Sequence, residues 1–524
     1  MAIGVAALLV QPCAPAAARA AAVAAANEAA SPFETLYPGV YTEKEKAGLA
    51  KYWAEVAAIN ARGPVDVAAL VSGKLTGRPG INSIVVADPA WVAYDNAKYD
   101  PDNKVYNDAD YARSLGYKDM LAFPTFAAND DAIIQPYPSG GTDTLLAADL
   151  NHEITSYRPI YPGDTLYLVI NHREIKDLTP QGGSIYRYLA FTSSGSIYNQ
   201  HGEKVQDVIF RNFRGLRIYK PGLAPEHPTF KDIWDSPDWR QRKPHVYTDA
   251  DWETIKGLWR GEHRQGAAPL YWEDVKIGDR PTWTADGPVE KSVAPVAPWG
   301  MGSGGSRTIR HELLGDVKPA PQIVRETNTG IYVTHRRDIQ IPPVPALPQG
   351  LVPQPDAPKT EDAVINTADI HEEGDNRSIL INYMGREYAI RHINNWMGDH
   401  GWIRNIRWGI LNPKAFALNG KTIPGHPDAR RFLSHVPGME GRFVSTHGMT
   451  EDLAIVKSYV YDKYVLNGQY VVDLAWWIEN LDGDIWEAGG ATVALPSRLD
   501  GKADPVADAV RGLDSEPPVP AAAS

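Results

Sequence analysis

The chain is almost without cysteine: Cys13 is the only one in 524 residues. No intrachain disulfide can form, and a multi-thiolate metal site is excluded. Positive charge is also in short supply, with 52 Lys and Arg against 64 Asp and Glu and a net charge of −12. That balance argues against a general nucleic-acid binder, which needs a cationic face. A phosphate-bearing small ligand is still accommodated, because it needs only a few local cations. No apolar run reaches the length of a bilayer span. Residues 1–30 are rich in Ala, Val and Leu but carry no Lys or Arg ahead of their apolar run. They read as an alanine-rich extension, with a cleavable export signal as the alternative. Histidines are scattered, and none has zinc-site spacing. The nearest cluster, His371 with Glu372 and Glu373, consists of adjacent residues, which rarely converge on one ion, so no metal is expected.

What is abundant is core-forming material: hydrophobic residues make up 43% of the chain, with 15 Trp and 25 Tyr. Length and composition together indicate a globular protein of two or three domains. Residues 42–61 read as a charged, alanine-rich amphipathic helix capped by Thr42, and 82–87 as a short strand. Residues 151–170, NHEITSYRPIYPGDTLYLVI, read as two β-segments joined through Pro159, Pro162, Gly163 and Asp164, the pattern of a hairpin. Strand candidates at 185–193 and 204–218 flank Asn199-Gln200-His201-Gly202. The same grammar returns late in the chain, where Asn480-Leu481-Asp482-Gly483 separates two apolar segments. A repeat this long indicates two related domains in tandem. Between them, 221–266 reads as a crossover with a short helix near 251–259. Residues 295–360 form an insertion with a glycine run, 300–305, and a proline-dense stretch that suits an extended arm. The glycine run lacks the Lys-Ser/Thr of a phosphate-binding loop.

The phrase strand, Tyr-Arg-Pro-Ile-x-Pro-Gly-Asp-Thr-Leu, strand resembles the MaoC-like acyl dehydratase family, and so does the opening YWEDVKIGD at 271–279. In the first copy the resemblance extends through Asn103, Val105, Asp108, Tyr111-Ala112-Arg113, Gly116 and Phe123-Pro124-Thr125-Phe126. Pro101 and Tyr106 stand where the family has its Asp and His. Tyrosine is no base at neutral pH without a large pKa shift, so the first copy is expected to shape the substrate site rather than catalyse. In the second copy, Ile370-His371 followed by Glu373 parallels the family's hydrophobic-His-x-Asp. Asn366, Ala368 and Asp369 fall where the family has Asp, Asn and Pro. Tyr383-Met384-Gly385 would open a helix whose apolar face is Tyr388, Ile390, Ile393, Trp396 and Met397. Asn394-Asn395-Trp396-Met397-Gly398-Asp399 resembles a helix end found in a subgroup of these dehydratases. Gly398 reads as the helix stop, and Asp399 as a structural residue or a surface carboxylate.

The resemblance implies an α+β fold, a tandem (double) hot-dog of antiparallel sheets, each wrapped around a long central helix, starting near Pro124 and near Tyr383. The halves would occupy 31–220 and 271–500, with a linker at 221–270 and a tail at 501–524. It implies a hydro-lyase that adds or removes water at a 2-enoyl or 3-hydroxyacyl thioester, as in lipid or aromatic catabolism. Coenzyme A would be part of the substrate, with no metal or redox cofactor. Such chemistry needs a base for water, an acid for C2 and donors facing the thioester oxygen. The candidates are His371 as general acid/base, Asp369 or Asn366 orienting it, and the Gly385 amide as oxyanion donor. Tyr383, Tyr106 and Thr125 are expected to line the substrate site. His371 could equally be an exposed loop histidine. His392 should be packed within the helix, His311 is a weaker alternative base, and His152 reads as a strand-end hydrogen-bonder. A cytoplasmic homodimer or higher homo-oligomer is expected, without nucleic-acid or membrane partners. A non-catalytic thioester-binding or partner subunit and a hot-dog thioesterase are the competing readings.

Overall fold

The computed structural model describes residues 34–35, 40–41, 43–81, 83–128, 144–177, 186–217, 243, 245–289, 309–316, 323–334, 338–341, 363–366, 382–409, 429–442, 448 and 451–499. Its centre is a ten-stranded antiparallel sheet. The strands are β1 (Ser83–Val86), β2 (Thr144–Ser156), β3 (Thr165–Asp177), β4 (Tyr186–Tyr198) and β5 (Lys204–Arg217). They continue with β6 (Thr284–Asp286), β7 (Trp402–Gly409), β8 (Ala454–Leu466), β9 (Gln469–Glu479) and β10 (Ile485–Leu495). Their spatial order is β1-β3-β4-β5-β2-β7-β10-β9-β8-β6. Each half therefore runs first, third, fourth, fifth, second from its outer edge inward, and the two second strands meet at the seam. There β2 and β7 pair antiparallel, with Arg407 opposite Glu153 and Trp408 opposite His152.

The repeated turn sits at the same junction in both halves. Asn199 N–H donates to the Glu203 carbonyl at 2.9 Å and Asn480 N–H to the Asp484 carbonyl at 3.0 Å. Each turn is closed by a glycine at positive φ, +75° at Gly202 and +83° at Gly483, a conformation other residues adopt at a cost. The segment read as a hairpin is something else. β2 and β3 do not pair: β2 lies between β5 and β7, and β3 between β1 and β4. Residues 157–164 cross the half-sheet and bond to other segments, with Ala122 N–H donating to the Ile160 carbonyl at 2.9 Å and Gly163 N–H to the Ala87 carbonyl at 2.7 Å. Their prolines, which lack an amide donor, suit such a crossing strap as well as a tight turn.

Four helices matter to the site: α1 (Glu43–Arg62), α2 (Pro89–Tyr99), α3 (Asp249–Gly261) and α4 (Asn382–Met397). Helix α1 docks beside β3, where the Asn60 amide bonds both backbone groups of Arg173. Helix α3 opens with a capping box between Thr248 and Asp251 and buries Trp252, Ile255 and Trp259. Helix α4 begins where Tyr383 was expected and stops at Gly398, which has φ +71°. The other expected helix does not begin at Pro124: residues 124–128 form turns, and 129–143 lie outside the described residues. One apolar cluster runs across the seam, joining Phe123, Ile154, Leu166 and Phe210 to Ile390, Ile393, Val456 and Trp476.

Helix α4 is not amphipathic in its setting, because 385–395 are buried throughout. With Gly385, Asn394 and Asn395 in it, packing rather than propensity holds it helical. Its polar side chains must then be answered from around it. Arg391 donates to Asp286 through Nε at 2.9 Å and Nη2 at 2.5 Å, and to Glu262 through Nη1 at 3.1 Å. Glu262 also accepts from Arg310 at 2.6 Å. Removing one partner of such a buried set strands the others. The expected loss for Arg391→Ala is roughly 3–5 kcal/mol of unfolding free energy by denaturant titration, and a loss under about 1 kcal/mol would contradict this account of the helix seat.

Candidate functional site around a buried helix

The first turn of α4 is where a helix presents amides without intrahelical acceptors and the positive end of its dipole. Gly385 is its fourth residue and is buried. Glu487 and Trp486 of β10 press against it so closely that a Cβ would overlap Glu487 Oε2. Next along the helix, Glu387 accepts from Thr125 Oγ1 at 2.9 and 3.0 Å and from Arg386 Nε at 3.0 Å. Arg386 also lies 4.9 Å over the Trp408 ring. Asp95 and Lys98 reach the same cluster from α2. Burial pushes the Glu387 carboxyl up, offset by Arg386 and Thr125. Asp95 is raised to about 7, by burial first and against the pull of Lys98. Burial lowers Lys98. Ionisable groups are therefore packed together at this end of the helix, with Asp95 titrating close to neutrality.

The other end is different. Asn394, Met397 and Asp399 face Asn103, Tyr106 and Gln206 across a cavity of ≈ 30 Å³, room for one or two waters. The 103–106 turn is fixed by Asn96, whose Nδ2 donates to the Tyr106 carbonyl at 2.6 Å and the Leu121 carbonyl at 2.8 Å. Burial, reinforced by Asp100, drives the Tyr106 hydroxyl far above its ordinary pKa. It can donate or accept a hydrogen bond but cannot act as a base. Gln206 Oε1 and the Asn394 amide are buried without a full complement of hydrogen bonds, as suits groups that hold water.

Of the residues singled out in the sequence, Thr125 and Gly385 are gathered at the first two turns of α4. Tyr106 lies about seven residues further on, roughly 10 Å along the axis. Tyr383 is in the helix, and its side chain lies outside the described residues. Asn366 closes a short strand, Ala363–Asn366, paired with Asp338, and its side chain is likewise outside them. His371, Asp369 and the glycine run at 300–305 lie wholly outside the described residues.

The remaining histidines sort by their surroundings. His392 is packed as expected, between Thr284 Oγ1 at 3.2 Å and Ser458 Oγ at 2.8 Å. His311 bridges Asp102 at 3.0 Å and Asp316 at 3.2 Å. Burial pulls its pKa down, and the two carboxylates outweigh that and raise it. With both ring nitrogens held by carboxylates it is placed as a structural bridge. His152 is no strand-end residue: it sits within the seam, its ring 4.3 Å from Phe210 and 4.9 Å from Trp408. Asp399 is no surface carboxylate, at 9% exposure, and it accepts from the Tyr111 hydroxyl. Asp95, Lys98, Glu387 and Glu487 escaped the sequence reading. Only the last leaves a signal there, an acid inside the apolar run of 485–495.

No protein-family model matches the chain, and no curated protein matches it. Among solved structures, a MaoC-like dehydratase is 12% identical, with 80% of this chain and 96% of that one covered at a TM-score of 0.36. A MaoC domain protein dehydratase from Chloroflexus aurantiacus is 13% identical, covering 80% and 94% at 0.39. A double-hotdog-fold protein from Mycobacterium tuberculosis is 13% identical, covering 79% and 93% at 0.36. The likeness is to MaoC-like dehydratases.

The setting of His392 makes a pH prediction. Burial, then Arg391, lowers its pKa from 6.5 to about 3. Between those values the unfolded chain binds a proton that the folded chain refuses, so stability falls as pH falls through the window. The slope from this group approaches about 1.4 kcal/mol per pH unit. Unfolding midpoints followed from about pH 7 to about pH 5 should drop more steeply in the unmodified protein than in His392→Gln. Parallel curves would show that the buried imidazole does not titrate this way.

Proposed function

We propose that this chain is a tandem hot-dog hydro-lyase of the MaoC-like kind, adding water to a 2-enoyl-CoA or removing it from a 3-hydroxyacyl-CoA. The observation that carries the reading is the identical strand order of the two half-sheets, with the same Asn-x-x-Gly turn in each and a buried helix between the first and second strands of the second half. The YRPIYPGDTL and YWEDVKIGD phrases support it independently. In this proposal the first half lends its motif loop to packing, with Tyr106 beside a water-sized cavity, and the second half catalyses.

The chemistry follows from what the first turn of α4 offers. Its free amides and dipole would hold the thioester oxygen as negative charge develops there. His371, oriented by Asp369 or Asn366, would serve as the general acid/base. A CoA thioester would place the reaction in the cytoplasm, and the protein is proposed to work as a homo-oligomer. A second reading, a thioester-binding partner subunit without catalysis, is favoured by Tyr106 and Asn366 standing where the family has His and Asp.

The test is a panel of enoyl-CoAs, with loss of enoyl absorbance followed over time. Turnover is expected, and His371→Ala should lower it on the order of 10²–10⁴-fold with little change in stability. Asp369→Asn should lower it less if Asn366 orients the ring. Turnover with none of the panel would contradict the enzyme reading, and undiminished turnover in His371→Ala would take the site away from the second half.

A further inference from the structure

His311 is held at both ring nitrogens by carboxylates from different parts of the chain. Nε2 lies 3.0 Å from Asp102 and Nδ1 3.2 Å from Asp316. Asp316 is local, its N–H donating to the His311 carbonyl at 2.8 Å. Asp102 is 209 residues away in the chain, in the first half. The segment that carries His311, residues 309–316, is seated against α3. Ile309 is buried, and Leu313 and Leu314 pack on the cluster of Trp252, Ile255 and Trp259. Arg310 donates to Glu262 at 2.6 Å and to the Trp259 carbonyl at 3.0 Å.

On the other side of the ring, Asp102 belongs to the turn that leads into the cavity wall. Asn103 N–H donates to the Asp100 carbonyl and Tyr106 N–H to the Asn103 carbonyl, both at 3.2 Å. Asn103 and Tyr106 line the cavity. His311 therefore ties a segment seated on α3 to the turn that shapes the first half's side of that cavity. Ionised carboxylates only accept, so the two bridges together need both ring N–H groups, which only the imidazolium has. A neutral ring has one donor, and its bare nitrogen would face a carboxylate. The charged groups facing the ring are Asp102, Asp316 and Arg310, the last paired with Glu262. Burial lowers the His311 pKa and Arg310 adds to that, but the two carboxylates outweigh both and leave it above 6.5. The side chains of His311 and Asp102 are 33% and 32% exposed, so the ring exchanges protons with solvent and the bridge is not sealed in the core.

We propose that His311 is a pH-operated latch, closed when both ring nitrogens carry protons, that fastens residues 309–316 to the Asp102 turn of the first half. Raising the pH removes the positive charge of the ring and one of its two donors. The hold on the turn then falls from an ion pair to at most a neutral hydrogen bond. Because the pKa is raised in the folded chain, the latch contributes fully below about pH 6.5 and is lost as pH rises through the folded value. Its sign is opposite to that of His392, whose buried ring costs stability as pH falls. The latch needs no ligand and does not rest on the hydro-lyase reading.

Titration of the His311 ring by nuclear magnetic resonance in the full chain tests the closed state. Its pKa should lie above 6.5 and should fall in Asp102→Asn and in Asp316→Asn. Hydrogen exchange, corrected for the intrinsic rate at each pH, tests the opening. Protection at Asp316 and across the 103–107 turn should fall roughly two- to fivefold as pH rises through the ring's pKa, the scale of a part-exposed ion pair. His311→Gln can donate to a carboxylate but does not titrate, so its protection should stay flat over the same range. A ring pKa at or below 6.5 would overturn the latch. So would protection that is insensitive to pH in the unmodified chain, or that changes equally in His311→Gln.

Discussion

The fold depends on burying a helix that carries two arginines, a glutamate and a histidine inside an apolar sheet. Desolvating such groups is costly, and only well-placed partners recover it. Helix α4 finds them on separate elements. Asp286 of β6 and Glu262, just beyond α3, take Arg391. Ser458 of β8 and Thr284 of β6 hold His392, and Thr125 reaches Glu387 from the first half. Gln265 N–H caps the far end by donating to the Asn395 carbonyl at 2.8 Å. An apolar helix could slide or rotate in its groove at little cost. This one cannot, because any shift would strand a buried charge.

The same demand divides the helix into two ends with different chemistry. At the C-terminal end the polar groups are mostly amides and a phenol whose proton is held tightly, with Asp399 taken by the Tyr111 hydroxyl. At the N-terminal end the ionisable side chains of Asp95, Lys98, Arg386, Glu387 and Glu487 are buried together. Free amides in that first turn favour an oxygen anion. Two half-sheets of equal strand order need not have equal sites. Among the described residues the second half places a long helix between its first two strands, and in the first half the motif loop at Tyr106 is packed and held by Asn96.

Much of this was legible in the sequence where the signal is local. The Asn-x-x-Gly turns at 199–202 and 480–483 have side-chain and backbone reasons to turn, and both do. Gly398 stops α4 as its residue type suggests. Strand pairing was not legible. The segment at 157–164 has turn residues whether it closes a hairpin or crosses a half-sheet, and the choice is made by distant partners such as Ala87, Ala122 and Val205. The apolar stripe seen in α4 was correct as far as it went. It gave no hint that Arg386 and Arg391 are buried too, and the partners of Arg391 lie up to 129 residues away in the chain. Glu487 showed only as an acid within an apolar run, since a bulge decides which face of β10 it occupies.

The central claim is that ligand chemistry belongs to the first turn of α4 and not to the cavity at its other end. A structure solved with a non-reactive enoyl-CoA analogue addresses it directly. The account places the thioester oxygen within hydrogen-bonding distance of the first-turn amides. An analogue seated instead against Tyr106, Gln206 and Asn394 would contradict it.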